Sequence, residues 1–149
     1  MEEHMEQINP YYHTVQYYET DAMAVVHHSN YIRWFEEARI HYLEQSGHPY
    51  DGIERRGLMI PVLSASCEYR LAVRFGETVR IETEIVEFKG LKFKIVYEVY
   101  DKERKALHAR GSTEHCFLNE DFKPVSIKKL APDLYEFFSG KKVSAQIFD

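Results

Sequence analysis

The spacing of apolar residues changes twice along the chain, from alternation to a helical period and back to alternation. Alternating side chains predict a first strand over residues 11–19. Aromatic and apolar residues at helical spacing then predict a long helix over residues 30–46, with Ser29 or Asn30 as its cap and Gly47 after its end. The residues predicted to face the core lie on one side of that helix: Tyr31, Trp34, Phe35, Ala38 and Tyr42.

The second half of the chain has the period of two that is typical of strands. Four strands are predicted there, over residues 58–71, 79–85, 93–99 and 106–118, and Pro61 confines the first of them to a sheet edge or a bulge. Short helices are predicted over residues 51–56 and from Pro132 to about Phe138. One long helix against an antiparallel sheet of about five strands, four of them in a meander, is an α+β domain. The other face of such a sheet needs cover, which predicts an oligomer.

Composition excludes several classes of protein. With 149 residues and 44% hydrophobic residues, the chain has the size of one domain, over residues 1–149 with a core from about 11 to 138. The net charge of −5 argues against a nucleic-acid binder. No segment reaches the ~18 apolar residues of a membrane span, and the acidic start at residues 1–6 lacks the features of a signal peptide. We therefore expect a soluble, cytoplasmic protein without an integral membrane segment.

The segment with the most candidate chemistry joins the first strand to the long helix. Residues 17–31 read YYETDAMAVVHHSNY and combine a carboxylate, two histidines and small apolar residues. Together with WFEEAR at residues 34–39, this segment resembles the 4-hydroxybenzoyl-CoA thioesterase-type acyl-CoA thioesterases. Residues 69–78 and 109–113 resemble later motifs of that family, so the resemblance spans residues 12–132.

The resemblance implies a hotdog fold, in which the sheet wraps a central helix, and hydrolysis of an acyl-CoA to a free acid and coenzyme A. It also implies that Asp21 is catalytic and that the backbone N–H at His28 polarises the thioester carbonyl. Thioester hydrolysis needs a carboxylate as nucleophile or base, and donors at the developing oxyanion. Asp21 lies seven residues before His28, at a predicted helix start that offers such donors. The sequence leaves open whether Asp21 attacks directly or activates water, and whether the His28 ring takes part or only packs. Ala24 stands where the motif usually has glycine, which matters if that position needs a positive φ.

Further residues are candidates for binding the substrate. Val26 and Tyr31 are expected beside the acyl group, and Glu36 is expected to face inward toward the loop. Glu19 is expected on the other side, or at the end of the strand. The cations proposed to meet the phosphates of coenzyme A lie at strand ends or turns: Arg70, Arg74, Lys89 and Lys92. No metal site or cofactor is expected, because adjacent histidines rarely converge on one ion and no phosphate-loop or dinucleotide motif is present.

Two other functions stay open at this stage. A hotdog hydratase or dehydratase would use Asp21 with His27 or His28, and a non-catalytic oligomer could bind acyl ligands. The carrier is expected to be coenzyme A, although an acyl carrier protein is an alternative, and the acyl group itself is not identified. A homodimer or homotetramer is expected, and the resemblance implies sites at the subunit interface.

Overall fold

The longest helix of the molecule, α1 (Ser29–Gln45), packs against one face of a five-stranded antiparallel sheet. The computed structural model describes residues 9–140. Its strands are β1 (Tyr11–Thr14), β2 (Val62–Tyr69), β3 (Thr78–Phe88), β4 (Lys92–Asp101) and β5 (Leu107–Cys116). Three shorter helices are α2 (Tyr50–Arg55), α3 (Ile127–Leu130) and α4 (Pro132–Ser139). The predicted α+β class and the predicted long helix are confirmed, the helix to within one residue at each end.

Burial of aromatic side chains attaches α1 to the sheet. The five residues predicted on its inner side are all buried, and the rings of Phe35 and Tyr97 stack with their centroids 4.3 Å apart. Each such side chain contributes roughly 1.5–3 kcal/mol by leaving water. Gly111 on β5 permits the close approach, because a Cβ there would collide with the Phe35 ring and the backbone carbonyl of Ser66.

The first predicted strand is too long. Only Tyr11–Thr14 is a strand, and Tyr17–Glu19 forms a single 3-10 turn. The backbone N–H of Gln16 donates to the Glu19 carboxylate at 2.8 Å, and Glu19 is buried rather than alternating outward. This hydrogen bond turns the chain away from the sheet before the loop begins.

The order of the strands also differs from a simple meander. The sheet runs β1-β3-β4-β5-β2, so that β2 crosses to the far edge and pairs with β5 rather than with β3. Since β1 already occupies the outer side of β3, the position next to β3 is closed to β2. The strand predicted over residues 58–71 is shorter, Val62–Tyr69, and begins directly after Pro61. Its place at the edge agrees with the prediction from that proline.

The edge strand β2 is the most exposed strand of the sheet. Seven of its eight residues are exposed, including the apolar side chains of Val62, Leu63 and Tyr69. Within residues 9–140, no helix combines the length and the apolar character needed to cross a membrane. The acidic start at residues 1–6 lies outside the described residues, as does the end of the predicted 1–149 domain, and the domain bounds stay a prediction.

Candidate active site

Residues 20–28, here called the 20–28 loop, connect the 3-10 turn to α1 and fold back on themselves. Thr20 and Val26 form an antiparallel bridge, and the N–H of Asp21 donates to the carbonyl of Val25 at 2.8 Å. The loop is also attached to the segment after β2, because Val25 pairs with Arg74 and the Val26 N–H donates to the Val73 carbonyl at 2.8 Å. The loop is thus held by backbone hydrogen bonds on two sides.

Ala24 takes the backbone conformation that the motif's glycine would favour. Its φ is +67°, in the left-handed region, and its N–H donates to the Asp21 carbonyl at 2.9 Å. A side chain with a Cβ is strained there by roughly 1–2 kcal/mol. The loop nevertheless closes, so the departure from the motif is accommodated as strain in one residue.

Asp21 is half-buried at the tip of this turn. Its Oδ1 accepts hydrogen bonds from the N–H of Met23 at 2.8 Å and, at the longer distance of 3.4 Å, from the N–H of Val25. These bonds orient the carboxylate through one oxygen. The other oxygen, Oδ2, has no hydrogen-bond partner within residues 9–140. An oriented carboxylate with one accessible oxygen can act as a nucleophile or as a base.

The start of α1 presents an N–H group that is not hydrogen-bonded to any of residues 9–140. The N–H of Ser29 donates to Nδ1 of His27 at 3.1 Å, and those of Asn30 and Tyr31 donate to the carbonyls of His27 and His28 at 3.0 Å and 3.3 Å. The N–H of His28 has no acceptor among the described residues. It lies at the positive end of the helix dipole, where a developing negative charge is stabilised.

The two histidine rings do not contact the Asp21 carboxylate by a hydrogen bond. They stack on each other with centroids 4.2 Å apart, and the His28 ring also meets the edge of Tyr69. Both histidines are exposed. In the part of the chain that the structure describes, the His28 ring therefore packs and makes no hydrogen bond.

Glu19 does not end a strand, because it lies in the 3-10 turn. Its carboxylate is buried and contacts residues outside the 20–28 loop, with Oε1 accepting from the N–H of Gln16 at 2.8 Å and Oε2 accepting from the Trp34 indole at 2.9 Å, which agrees with the expectation that it points to the other side. His13 Nε2 lies 2.9 Å from Oε1. Burial acts to raise the pKa of Glu19, but the hydrogen bonds from Gln16, His13 and Trp34 outweigh it and lower the pKa below its ordinary value.

The other predicted binding residues around this loop have different exposures. Val26 and Tyr31 are buried, and Tyr31 packs against Tyr69 with ring centroids 5.0 Å apart. Burial raises the pKa of Tyr31, so its hydroxyl stays protonated. Arg70 and Arg74 are exposed, and the Arg70 guanidinium lies 3.6 Å from the carboxylate of Glu68. Arg74 pairs with Val25 of the loop, and Tyr69, the residue before Arg70, contacts Tyr31 on α1.

Glu36 does not face the loop, which corrects the prediction. It is exposed and lines a cavity of about 230 Å³ that opens further along α1, toward α2 and the start of β2. Arg39 shares this cavity, whose apolar walls include Ile60, Phe93 and Phe138. We call it the Glu36 cavity. Glu36 and the 20–28 loop are separated because Glu36 lies two helical turns beyond the first residue of α1.

A chain of buried polar side chains lies behind the Glu36 cavity, and sequence reasoning did not find it. Arg39 donates to the Tyr97 hydroxyl at 3.1 Å. That hydroxyl lies 2.6 Å from Thr113 Oγ1. Thr113 Oγ1 lies in turn 2.7 Å from His115 Nε2. His115 Nδ1 lies 3.0 Å from the Pro61 carbonyl. Burial, with a contribution from the Arg39 charge, lowers the pKa of His115 to about 4, so its ring is neutral. We call this set the buried polar chain.

No three or more histidine, cysteine or acidic side chains within residues 9–140 are grouped to hold a metal ion.

Comparison with known proteins shows to which family the chain belongs. The family model described as the thioesterase-like superfamily matches residues 15–138. The chain belongs to the thioesterase-like superfamily. The matched segment includes the 20–28 loop, α1 and strands β2 to β5. The hotdog fold expected from the sequence is confirmed.

Two solved structures are closely similar to this chain. A DHNA-CoA thioesterase from Staphylococcus aureus is 32% identical with a TM-score of 0.83, and the match covers 88% of each chain. The protein AQ1494 from Aquifex aeolicus is 34% identical with a TM-score of 0.79, over 87% of this chain and 98% of that one. Among curated relatives, the acyl-CoA thioesterase YbgC of Haemophilus influenzae is 34% identical over 77 residues, which is 51% of this chain and 57% of YbgC.

Proposed function

We propose that this chain hydrolyses acyl-CoA thioesters, with the Asp21 carboxylate as the acting group and the His28 N–H as the oxyanion donor. The observation that carries this proposal concerns two groups that have no hydrogen-bond partner among the described residues. They are the N–H of His28 at the helix start and, seven residues earlier, one carboxylate oxygen of Asp21. The names of the relatives from S. aureus and H. influenzae support a CoA thioester as the substrate.

In the proposed reaction the thioester carbonyl oxygen accepts the His28 N–H. Negative charge that develops on this oxygen is stabilised by that donor and by the helix dipole. Asp21 Oδ2 attacks the acyl carbon, or removes a proton from a water that does so. The C–S bond then breaks, and coenzyme A leaves as its thiol after the sulfur takes up a proton. On the water route that proton comes from Asp21, and the acyl group leaves directly as the carboxylic acid. On the nucleophilic route the acyl group stays on Asp21 as an anhydride until water hydrolyses it, which releases the acid and restores the carboxylate. Both routes use the same carboxylate oxygen.

The surroundings of the loop suit a CoA ester. Arg70 and Arg74 are exposed cations on the segment that pairs with the loop, where they can meet phosphates. Val26 and Tyr31 provide apolar surface beneath the reacting group. An acyl carrier protein would present the same thioester, and the cytoplasm stays the expected location. Among the histidines within residues 9–140, none is hydrogen-bonded to Asp21, and hydrolysis is accordingly favoured over hydration.

We further propose that the active form is a homodimer, or a tetramer of such dimers, joined through β2. An exposed edge strand with apolar side chains is a surface that proteins usually cover. If two copies of β2 pair antiparallel, the start of one strand lies beside the end of the other. The Glu36 cavity of one subunit would then approach the 20–28 loop of its partner, which gives Glu36 and Arg39 a route to the acyl group.

The proposal is tested with the purified full chain and a set of short, long and aromatic acyl-CoA esters. Release of free thiol is followed with a colour reagent, and the matching enoyl-CoA absorbance is followed in parallel. Thiol release with at least one ester is expected. A change in enoyl absorbance without thiol release would favour a hydratase, and sedimentation of an active monomer would contradict the dimer.

A further inference from the structure

Glu19 occupies a junction between three parts of the molecule. Its carboxylate contacts His13 on β1, the backbone of Gln16 in the 3-10 turn and Trp34 on α1. A buried carboxylate that joins three elements costs desolvation free energy, and its hydrogen bonds offset that cost. The position is therefore specified by these partners rather than by contact with solvent.

The backbone of Glu19 joins the two ends of the 20–28 loop. Its carbonyl accepts from the N–H of His27 at 2.8 Å and from Nδ2 of Asn30 at 2.9 Å. The loop leaves Glu19 at residue 20 and returns to it at His27, with Asp21 between these points. Whatever fixes Glu19 against α1 consequently fixes Asp21 relative to the His28 N–H.

A carboxylate at position 19 can accept both N–H donors of this junction, whereas an amide cannot. The donors of Gln16 and Trp34 point at different oxygens, Oε1 and Oε2. A glutamine has one acceptor oxygen and one NH₂ group, so one of the two N–H donors would face another donor. The geometry thus requires both oxygens of an ionised Glu19.

We propose that Glu19 is a positioning residue that holds the 20–28 loop, and with it Asp21, in register with the start of α1. This inference rests on the proposed thioesterase function. Glu19 is buried and bonded to protein groups on both oxygens, so it acts through Asp21 and does not touch the substrate. Misplacement of a reacting group by about 1 Å can cost on the order of 100-fold in rate.

The test compares Glu19→Gln with Glu37→Gln. Glu37 is the matched control, since it is exposed and contacts the same His13 ring from the other side at 3.4 Å. Glu19→Gln is expected to lower kcat on the order of 10–100-fold with KM within about twofold. Glu37→Gln is expected to keep kcat within about twofold of the parent. Glu19→Asp keeps both carboxylate oxygens on a shorter side chain, and its kcat is expected to lie between those of Glu19→Gln and the parent.

A double-mutant cycle with Asp21→Asn separates an effect on kcat that acts through Asp21 from an effect caused by a general loss of structure. If Glu19 acts through Asp21, Glu19→Gln has little further effect on kcat once Asp21 is already Asn. Amide hydrogen exchange at Met23 and Val25, whose N–H groups bond to Asp21, is expected to rise in Glu19→Gln and not in Glu37→Gln. This second readout does not depend on activity.

The outcomes separate this inference from the proposed function. If the parent hydrolyses thioesters and Glu19→Gln keeps its kcat, or if the losses in the cycle add, the positioning role is wrong and the function stands. If Glu19→Gln does not fold, the exchange and kinetic measurements on Glu19→Asp decide in the same way. If the parent has no thioesterase activity, the proposed function is wrong and the inference falls with it.

Discussion

The 20–28 loop and the buried polar chain are both polar regions of a largely apolar domain, and they differ in what they leave unbonded. In the buried polar chain every side chain has a partner, from Arg39 through to the Pro61 carbonyl beside His115. In the loop, one oxygen of Asp21 and the N–H of His28 have no partner within residues 9–140. The proposed reactive groups are therefore oriented and unbonded, whereas the side chains of the buried polar chain are bonded to one another.

The largest expected effect concerns the donor at the helix start. The φ of His28 is −58°, which suits proline, and its N–H bonds to no described residue, so His28→Pro deletes one donor at little structural cost. Loss of an oxyanion donor typically lowers kcat on the order of 100–1,000-fold. We expect that loss for His28→Pro, and appreciable activity for His28→Ala, in steady-state thiol-release assays.

Circular dichroism and thermal midpoints of both variants provide the control for folding. Equal losses for His28→Ala and His28→Pro, with both folded, would assign the role to the imidazole. Full activity of His28→Pro would remove the backbone donor from the mechanism.

The buried polar chain is expected to act on stability, through His115. Its pKa of about 4 in the folded protein is below the ordinary 6.5, so the unfolded chain binds the proton more tightly. Stability is therefore lost as the pH falls from about 6.5 to about 4, by at most about 3 kcal/mol from this group. His115→Gln is expected to be less sensitive to acid than the parent over that window.

Urea unfolding at several pH values between 4 and 7 measures this effect. His41→Gln is the control, because its contact with the Asn9 carbonyl is at the surface. If the parent and His115→Gln lose stability in parallel as the pH falls, the claim that His115 is buried as a neutral ring and destabilises the fold when protonated is wrong.

The smallest expected effect concerns strain in the loop. Ala24→Gly relieves the left-handed φ but adds freedom to the unfolded chain, so a net stabilisation of about 0.5–1 kcal/mol is expected. Ala22→Gly, in the same loop without a positive φ, is expected to destabilise slightly. Thermal midpoints compare the two, and equal destabilisation by both would show that Ala24 is not strained.

Much of the fold was predictable because it depends on local patterns. The helical spacing of Tyr31, Trp34 and Ala38 sets α1, and alternation sets β3 to β5. The end of β1 was not predictable in the same way. It depends on Glu19 being drawn toward Trp34, fifteen residues further along the chain. Alternation within residues 11–19 contains no information about that partner.

The resemblance names Asp21 and His28 as site residues, and their roles stay a prediction. The departure at Ala24 matters only if that position needs a positive φ, and its φ is +67°. Glu36 is predicted to face inward toward the loop as a partner of the site residues. Its actual direction depends on how α2 and the start of β2 pack around α1, which the period of the helix does not specify.

The central claim is that the Asp21 carboxylate performs the hydrolysis, and Asp21→Asn tests it most directly. Asparagine keeps the side-chain oxygen that accepts from Met23, so the loop is expected to stay folded while the negative charge is lost. We expect kcat for the best acyl-CoA ester to fall at least ~100-fold, with an unchanged thermal midpoint. Asp51→Asn, at an exposed aspartate paired with Arg55, is the control. Hydrolysis by Asp21→Asn within about threefold of the parent would contradict the account, since loss of an acting carboxylate cannot leave turnover intact.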